Sequence, residues 1–206
     1  MTTVLRVERL ALSRGGRLVV SDVAFRIESG EALLVTGPNG AGKSTLLRAL
    51  AGLLRPSSGS IRLAGPRIDP DDPPGLYAHY VGHADALKSA LTARENLAFW
   101  GAALGRARTA DPVDALQRVG LPHVADIPAG WLSAGQKRRV SLGRLFVAAR
   151  PVWILDEPAT ALDKASQSRL ADAMAEHRAS GGLVVAATHA PLGLEDAHEL
   201  RLGEAP

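Results

Sequence analysis

Residues 37–45 read GPNGAGKST. The spacing is G-x-x-x-x-G-K-[ST], and its meaning depends on what surrounds it. The apolar run EALLVTG (31–37) leads into it, and the periodic stretch KSTLLRALAGLL (43–54) leads out. A buried strand, a glycine-rich turn and a helix start make a loop that wraps a phosphate chain in inward-pointing N–H groups. The helix N-terminus adds about half a unit of positive charge. Gly37, Pro38, Asn39, Gly40, Ala41, Gly42, Lys43, Ser44 and Thr45 are the candidate nucleotide-binding residues. Lys43 is placed to reach the β and γ phosphates, and Ser44 to ligate Mg²⁺. ATP and Mg²⁺ are the expected cofactors.

A second station lies in VWILDEP (152–158), where an apolar run ends in two carboxylates. A strand sends consecutive side chains to opposite sides, so Asp156 and Glu157 cannot share a role. Asp156 is the expected second metal ligand beside Ser44, as in phosphate-loop NTPases. Glu157 is then the candidate base that polarises the attacking water.

The rest of the chain reads as alternating strands and helices. VLRVERLAL (4–12) alternates apolar and polar residues, and LVVSDVAFRIESGE and SGSIRLAG read as further strands. PRIDPDDPPG (66–75) has four prolines and must be a loop. ARENLAFWGAALG (93–105) reads as a helix, with Thr92 and Glu95 in capping-box spacing. DPVDALQRVG (111–120) reads as another, capped by Asp111, begun by Pro112 and stopped by Gly120. Helices are also expected over SAGQKRRVSLGRLFVAA and KASQSRLADAMAEHRASGG, and strands over VWILD, LVVAATH and HELRL. The expected fold is α/β: a phosphate-loop NTPase core of mixed sheet flanked by helices. One nucleotide-binding domain spans 1–206, with a helical insert at roughly 84–150.

Composition narrows the function classes. The 206 residues are enough for one domain with a sizeable core. No apolar run approaches a membrane span, and the N-terminus lacks a signal-peptide core, so a cytoplasmic location is expected. With no cysteine, disulfides, thiolate metal sites and covalent haem attachment are excluded. A net charge of +3 is too small to indicate nucleic acid.

The stretch LSAGQ (132–136) places the chain more narrowly. Physically it is a helix start, with Ser133 as cap and Gln136 completing a capping box. Gly135 allows a phosphate close to the backbone. It resembles the signature sequence of ATP-binding cassette (ABC) ATPases. Two cassettes in that family sandwich two ATP molecules head to tail. The resemblance therefore implies that Ser133, Gly135 and Gln136 serve the nucleotide of a second copy. Asp163 in ATALDK is similar to the loop that communicates between the two sites, and His189 in AATHAP to the histidine that contacts the γ-phosphate.

WLSAGQKRRVSLGRL, VWILDEPATALDK, ATHAPL and YVGHADALKSALTARENLAF together resemble a narrower group, the haem-exporter ATP-binding subunits of cytochrome c maturation. The resemblance implies ATP hydrolysis coupled to transport and a homodimer bound to integral membrane subunits. It also implies peripheral attachment at the cytoplasmic face of the bacterial inner membrane, with haem met only indirectly. Cassette subunits for another substrate keep every ATP-site residue, and non-transport ABC proteins are a third class.

Two positions depart from the wider family. His83 stands where most relatives carry a glutamine that touches the metal–water shell and senses the membrane partner. Imidazole is a poor direct Mg²⁺ ligand, so a water-mediated contact, buried beside the metal, is the functional reading. An exposed loop histidine is the other. LALSRGGRLVV (10–20) lacks the usual aromatic that stacks on adenine. Arg14 either stacks its guanidinium plane there or is a solvated turn residue.

Overall fold

The computed structural model describes residues 2–104 and 110–203. Gly105, the last residue of the stretch read as one helix, lies outside the described residues, as do positions 106–109 of the expected insert.

The chain begins with a long antiparallel hairpin, β1 (Val4–Arg14) and β2 (Arg17–Glu28). After β3 (Ala32–Thr36) and α1 (Lys43–Leu50), β4 (Ser58–Ala64) joins the free side of β1. Then follow β5 (Ala78–Val81), α2 (Ala93–Leu104), α3 (Pro112–Arg118) and α4 (Ala134–Val147). β6 (Val152–Asp156), α5 (Lys164–Ala179), β7 (Leu183–Ala187) and β8 (His198–Arg201) complete the fold.

Strands of both senses are present, but they are sorted into two sheets. One is antiparallel, β2-β1-β4, and the other is wholly parallel, β5-β6-β7-β3-β8. The physical reason is in the sequence pattern. β1 alternates buried and exposed residues, as a sheet with one wet face does, whereas β6 and β7 are buried at every position.

The two faces of the parallel sheet build two cores. Val152 and Ile154 point towards α1 and the antiparallel sheet, among Leu46, Leu47, Leu5 and Val7. Trp153 and Leu155 point the other way, among Leu97, Val140, Leu145 and Met174. The helices α2, α3 and α4 contribute to this second core. Helix ends follow the capping rules: Asp111 accepts from Val113 N, and Thr92 and Glu95 bond reciprocally. Asn96 holds the loop before α2, accepting from Lys88 N and donating to the carbonyls of Lys88, Leu91 and Thr92. Of the histidines without a candidate role, His79 is fully buried and its Nε2 donates to Ala148 O at 2.7 Å. His177 stacks on Trp153 at 4.1 Å.

Candidate nucleotide site

In a parallel sheet all strands end on the same edge, and that edge is where ligands collect. Here the phosphate loop follows β3, Glu157 follows β6, His189 follows β7 and His83 follows β5. Strand register aligns them: Val81 pairs with Leu155, and Asp156 with Ala187.

The phosphate loop is fixed from two sides. Gly37 has φ +130, and a Cβ there would lie 2.3 Å from Leu202 O, just past β8. Gly42 has φ +99 and sits against Val19 and Val20 of β2. Both positions demand glycine for backbone conformation and for room. Pro38, Asn39 and Gly40 form the exposed tip, with Ala41 N donating to Pro38 O at 3.2 Å. Gly42 caps α1, and Thr45 lies in its first turn. Lys43 Nζ donates to Gly37 O at 2.6 Å and to Pro38 O at 3.0 Å, so the ammonium lies over the loop that would hold phosphates.

Ser44 Oγ donates to Asp156 Oδ1 at 3.0 Å. Asp156 is 3% exposed at the end of β6. One hydroxyl and one carboxylate oxygen thus converge beside the phosphate loop. Hard oxygen donors in this number suit Mg²⁺, which keeps several waters and takes further ligands from phosphates. Among the described residues, no group of three or more His, Cys, Asp or Glu side chains forms a metal cage.

Glu157 and Asp156 diverge, but not because of the pleat. The strand ends at Asp156, and Glu157 takes φ +48, a left-handed conformation rare for a non-glycine residue. That turn is held by Glu157 N donating to Ala187 O at 2.8 Å, and the two carboxylates have different neighbours, Asp156 facing Ser44 and Glu157 lying beside His189. His189 Nε2 lies 3.6 Å from Glu157 Oε1, beyond a hydrogen bond, and its side chain is largely exposed.

Ser133 caps α4 in a complete capping box: Gln136 N donates to Ser133 Oγ, and Ser133 N to Gln136 Oε1. Gly135 lies against Ala161 O, where a Cβ would come within 3.0 Å. Asp163 caps α5, accepting from Ser166 N at 2.8 Å. The Ser166 side-chain and backbone hydrogen bonds hold its carboxyl below the usual range. The signature helix start is therefore a neighbour of the loop that leads to Asp163. Trp131, two residues before Ser133, is 82% exposed.

His83 is exposed, not buried, and makes no hydrogen bond among the described residues. It lines a groove of about 390 Å³ together with Arg48, Tyr80, Trp100, Arg144 and Arg150. Arg14 lies at the exposed tip of the β1–β2 hairpin, paired with Arg17. Further along β2, Val19 and Val20 meet Gly42.

Sequence reasoning missed Arg138. It is 3% exposed, and its guanidinium donates to Gly82 O (2.7 Å), Glu157 O (2.7 Å), Pro158 O (3.1 Å) and Asp156 O (3.3 Å). It ties α4 to the loops after β5 and β6. The available signal was a basic residue on the same helix face as Ser141, Leu142 and Leu145.

A glycine-rich loop between a parallel strand and a helix, with a buried carboxylate on a nearby strand end facing the loop's serine, defines a phosphate-loop NTPase. Comparison with known proteins narrows the class. The ABC transporter family profile matches residues 20–160. The chain is 50% identical over 200 residues to the cytochrome c biogenesis ATP-binding export protein of Chelativorans sp. (strain BNC1), covering 97% of this chain and 98% of that protein. The protein of the same name from Nitrobacter winogradskyi is 54% identical over 192 residues, covering 93% and 94%. Among solved structures, an ATP-binding subunit of an ABC transporter superposes with TM-score 0.80 at 28% identity, over 97% of this chain and 85% of that one. A dimeric cassette in a post-hydrolysis state with ADP and Pi superposes with TM-score 0.81 at 23% identity, over 96% and 94%, and shares the fold. The chain therefore belongs to the ABC transporter family, as an ATP-binding ATPase subunit, and groups there with the cytochrome c biogenesis ATP-binding export proteins. No helix of the described residues is long and apolar enough to cross a membrane.

Proposed function

We propose that the chain is the ATP-hydrolysing subunit of the haem-exporting complex of cytochrome c biogenesis. It acts as a homodimer peripheral to the cytoplasmic face of the inner membrane and drives integral membrane subunits. Near-complete alignment at half identity with the cytochrome c biogenesis export proteins is the observation that carries this reading. Residues 1–206 act as one nucleotide-binding domain, with the segment of roughly 84–150 as its helical insert.

The chemistry runs as follows. The loop from Gly37 to Thr45 wraps the phosphates, and Lys43 leaves the carbonyls of Gly37 and Pro38 for the β and γ phosphates. Ser44 and Asp156 would hold Mg²⁺, which when bound would neutralise charge on the phosphates. Glu157 takes a proton from the attacking water as its oxygen bonds to the γ-phosphorus. The bond to the β,γ-bridging oxygen breaks, giving ADP and phosphate. His189, beside Glu157, contacts the γ-phosphate. Ser133, Gly135 and Gln136 close over the nucleotide of the second copy, and the Asp163 loop links the two sites. Arg14 stacks on the adenine. His83 would reach the metal site through water, and with α2 it forms the side on which a membrane subunit docks.

The test is phosphate release by the Glu157→Gln chain in the assembled complex. Loss of a general base removes on the order of 10²- to 10⁴-fold in rate, with ATP binding retained. Turnover near the wild-type rate overturns the assignment.

A further inference from the structure

Ser44 occupies only one oxygen of Asp156. The other, Oδ2, accepts a hydrogen bond from the Tyr80 hydroxyl at 3.2 Å. The same hydroxyl accepts from Arg48 Nε at 3.4 Å. This arrangement is built by the strand register. Tyr80 pairs with Ile154, and Ile154 and Asp156 share one face of β6, so the Tyr80 ring points along that face to the carboxylate. α1, which carries both Ser44 and Arg48, packs on the same side.

The glycine after Val81 completes the arrangement. A Cβ on Gly82 would lie 2.9 Å from Tyr80 Cε1 and 3.0 Å from its hydroxyl oxygen. Any larger residue before His83 would push the ring off Asp156. Tyr80 and Arg48 also line the groove that holds His83. One hydroxyl therefore touches the metal-station carboxylate on one side and the groove on the other.

We propose that Tyr80 is a positioning residue for the metal station. It fixes the rotation of the Asp156 carboxylate so that Oδ1 stays beside Ser44, and Arg48 in turn fixes the Tyr80 hydroxyl. A partner that draws the Arg48 guanidinium away from the ring is then felt at Asp156 without touching the nucleotide. The proposal rests on the reading of Ser44 and Asp156 as the Mg²⁺ site.

The test replaces Mg²⁺ with Mn²⁺ and follows its binding to the full chain with ATP by electron paramagnetic resonance, using Tyr80→Phe. Outer partners of metal-binding carboxylates typically change metal affinity by about 10- to 100-fold. Tyr80→Phe should raise the half-saturating Mn²⁺ concentration about tenfold, while ATP binding without metal and the unfolding temperature stay close to wild type. Gly82→Ala should produce a similar shift and add little on the Tyr80→Phe background. Arg48→Met should give a smaller shift in the same direction, lost when Tyr80 is already Phe. If wild type and Tyr80→Phe bind Mn²⁺ equally well, the inference about Tyr80 is wrong and the metal station stands. If the wild-type chain with ATP binds no Mn²⁺, the metal-station reading itself fails. An Arg48→Met shift of equal size in both backgrounds overturns the link through Tyr80.

Discussion

Arg138 Nη2 donates a 2.7 Å hydrogen bond to the carbonyl oxygen of Glu157, the residue at which the backbone turns left-handed out of β6. A cation buried in α4 thus holds the strained turn that aims the Glu157 carboxylate. Arg138→Leu leaves the carbonyls of Gly82, Asp156, Glu157 and Pro158 without this donor, and the expected cost is roughly 3 kcal/mol or more of stability. Arg138→Lys should fold better but restore little turnover, because a point charge cannot span carbonyls that a planar fork reaches. Urea unfolding and phosphate release, measured on both variants, check this. Lysine restoring full turnover would contradict it.

Lys43→Ala should weaken nucleotide binding as well as turnover, which separates it from Glu157→Gln. Gly37→Ala should act through the backbone. It adds a Cβ that meets Leu202 O and puts a strained φ on a non-glycine residue, costing about 1–3 kcal/mol. Fluorescent-nucleotide titration of both variants is the measurement, and unchanged affinity in Lys43→Ala is the adverse result.

ATP should convert the Glu157→Gln chain from monomer to dimer. In the proposed sandwich, the Ser133 helix start of one copy closes over the nucleotide of the other, and the Asp163 loop links the two sites. Light scattering of the chain with its membrane partner, with and without ATP, tests this. A monomer at high protein and ATP concentration counts against the sandwich.

Acid should destabilise the fold through two histidines, His79 buried and His177 half-buried. Burial lowers His79 from 6.5 to about 3, against a hydrogen bond to Ala148 that raises it, and burial lowers His177 from 6.5 to about 4. With folded values below the unfolded value of 6.5, the unfolded chain binds more protons as pH falls. The neutral-pH stability is therefore complete above 6.5 and is lost on descending through the interval to about 4 for His177 and about 3 for His79. Each histidine contributes a slope of at most ~1.4 kcal/mol per pH unit. Denaturant titrations at a series of pH values should show this loss, and it should be shallower in His79→Asn whatever that variant's stability at pH 7. An identical slope in both proteins would falsify the role of His79.

His83→Ala should bind ATP nearly as wild type does and lose coupling to the membrane subunits, read as reduced cytochrome c assembly. His83→Gln should keep much of the function, since an amide can also donate and accept. Full assembly by His83→Ala at normal protein levels leaves only a solvated loop histidine, which its exposure also fits.

The strand–loop–helix unit around Lys43 was legible because local pattern and local structure coincide there: the glycines, the apolar run and the helix period all lie within one short window. The carboxylate pair was legible for a similar reason, yet the cause of its divergence was not. Sequence suggested a pleat, while the chain uses a left-handed turn at Glu157, which nothing in the letters LDEP announces. Sorting of the strands into two sheets depends on pairings between residues far apart, such as Arg6 with Arg62, and these have no local signature. Arg138 and Tyr80 escaped notice for the same reason. Each looks like an ordinary surface or strand residue until the fold brings backbone carbonyls or Asp156 within reach.

Trp131 stands in water beside the signature helix start, whereas Trp153 is buried and stacked on His177, and Trp100 lies near the Arg144 guanidinium. The three indoles thus sit in three different optical surroundings. The solvent-bathed one emits furthest to the red, and its spectrum moves to the blue when another surface covers it. The chain carries a native, label-free reporter on the patch where a second copy would close, readable in a cuvette while nucleotide is added.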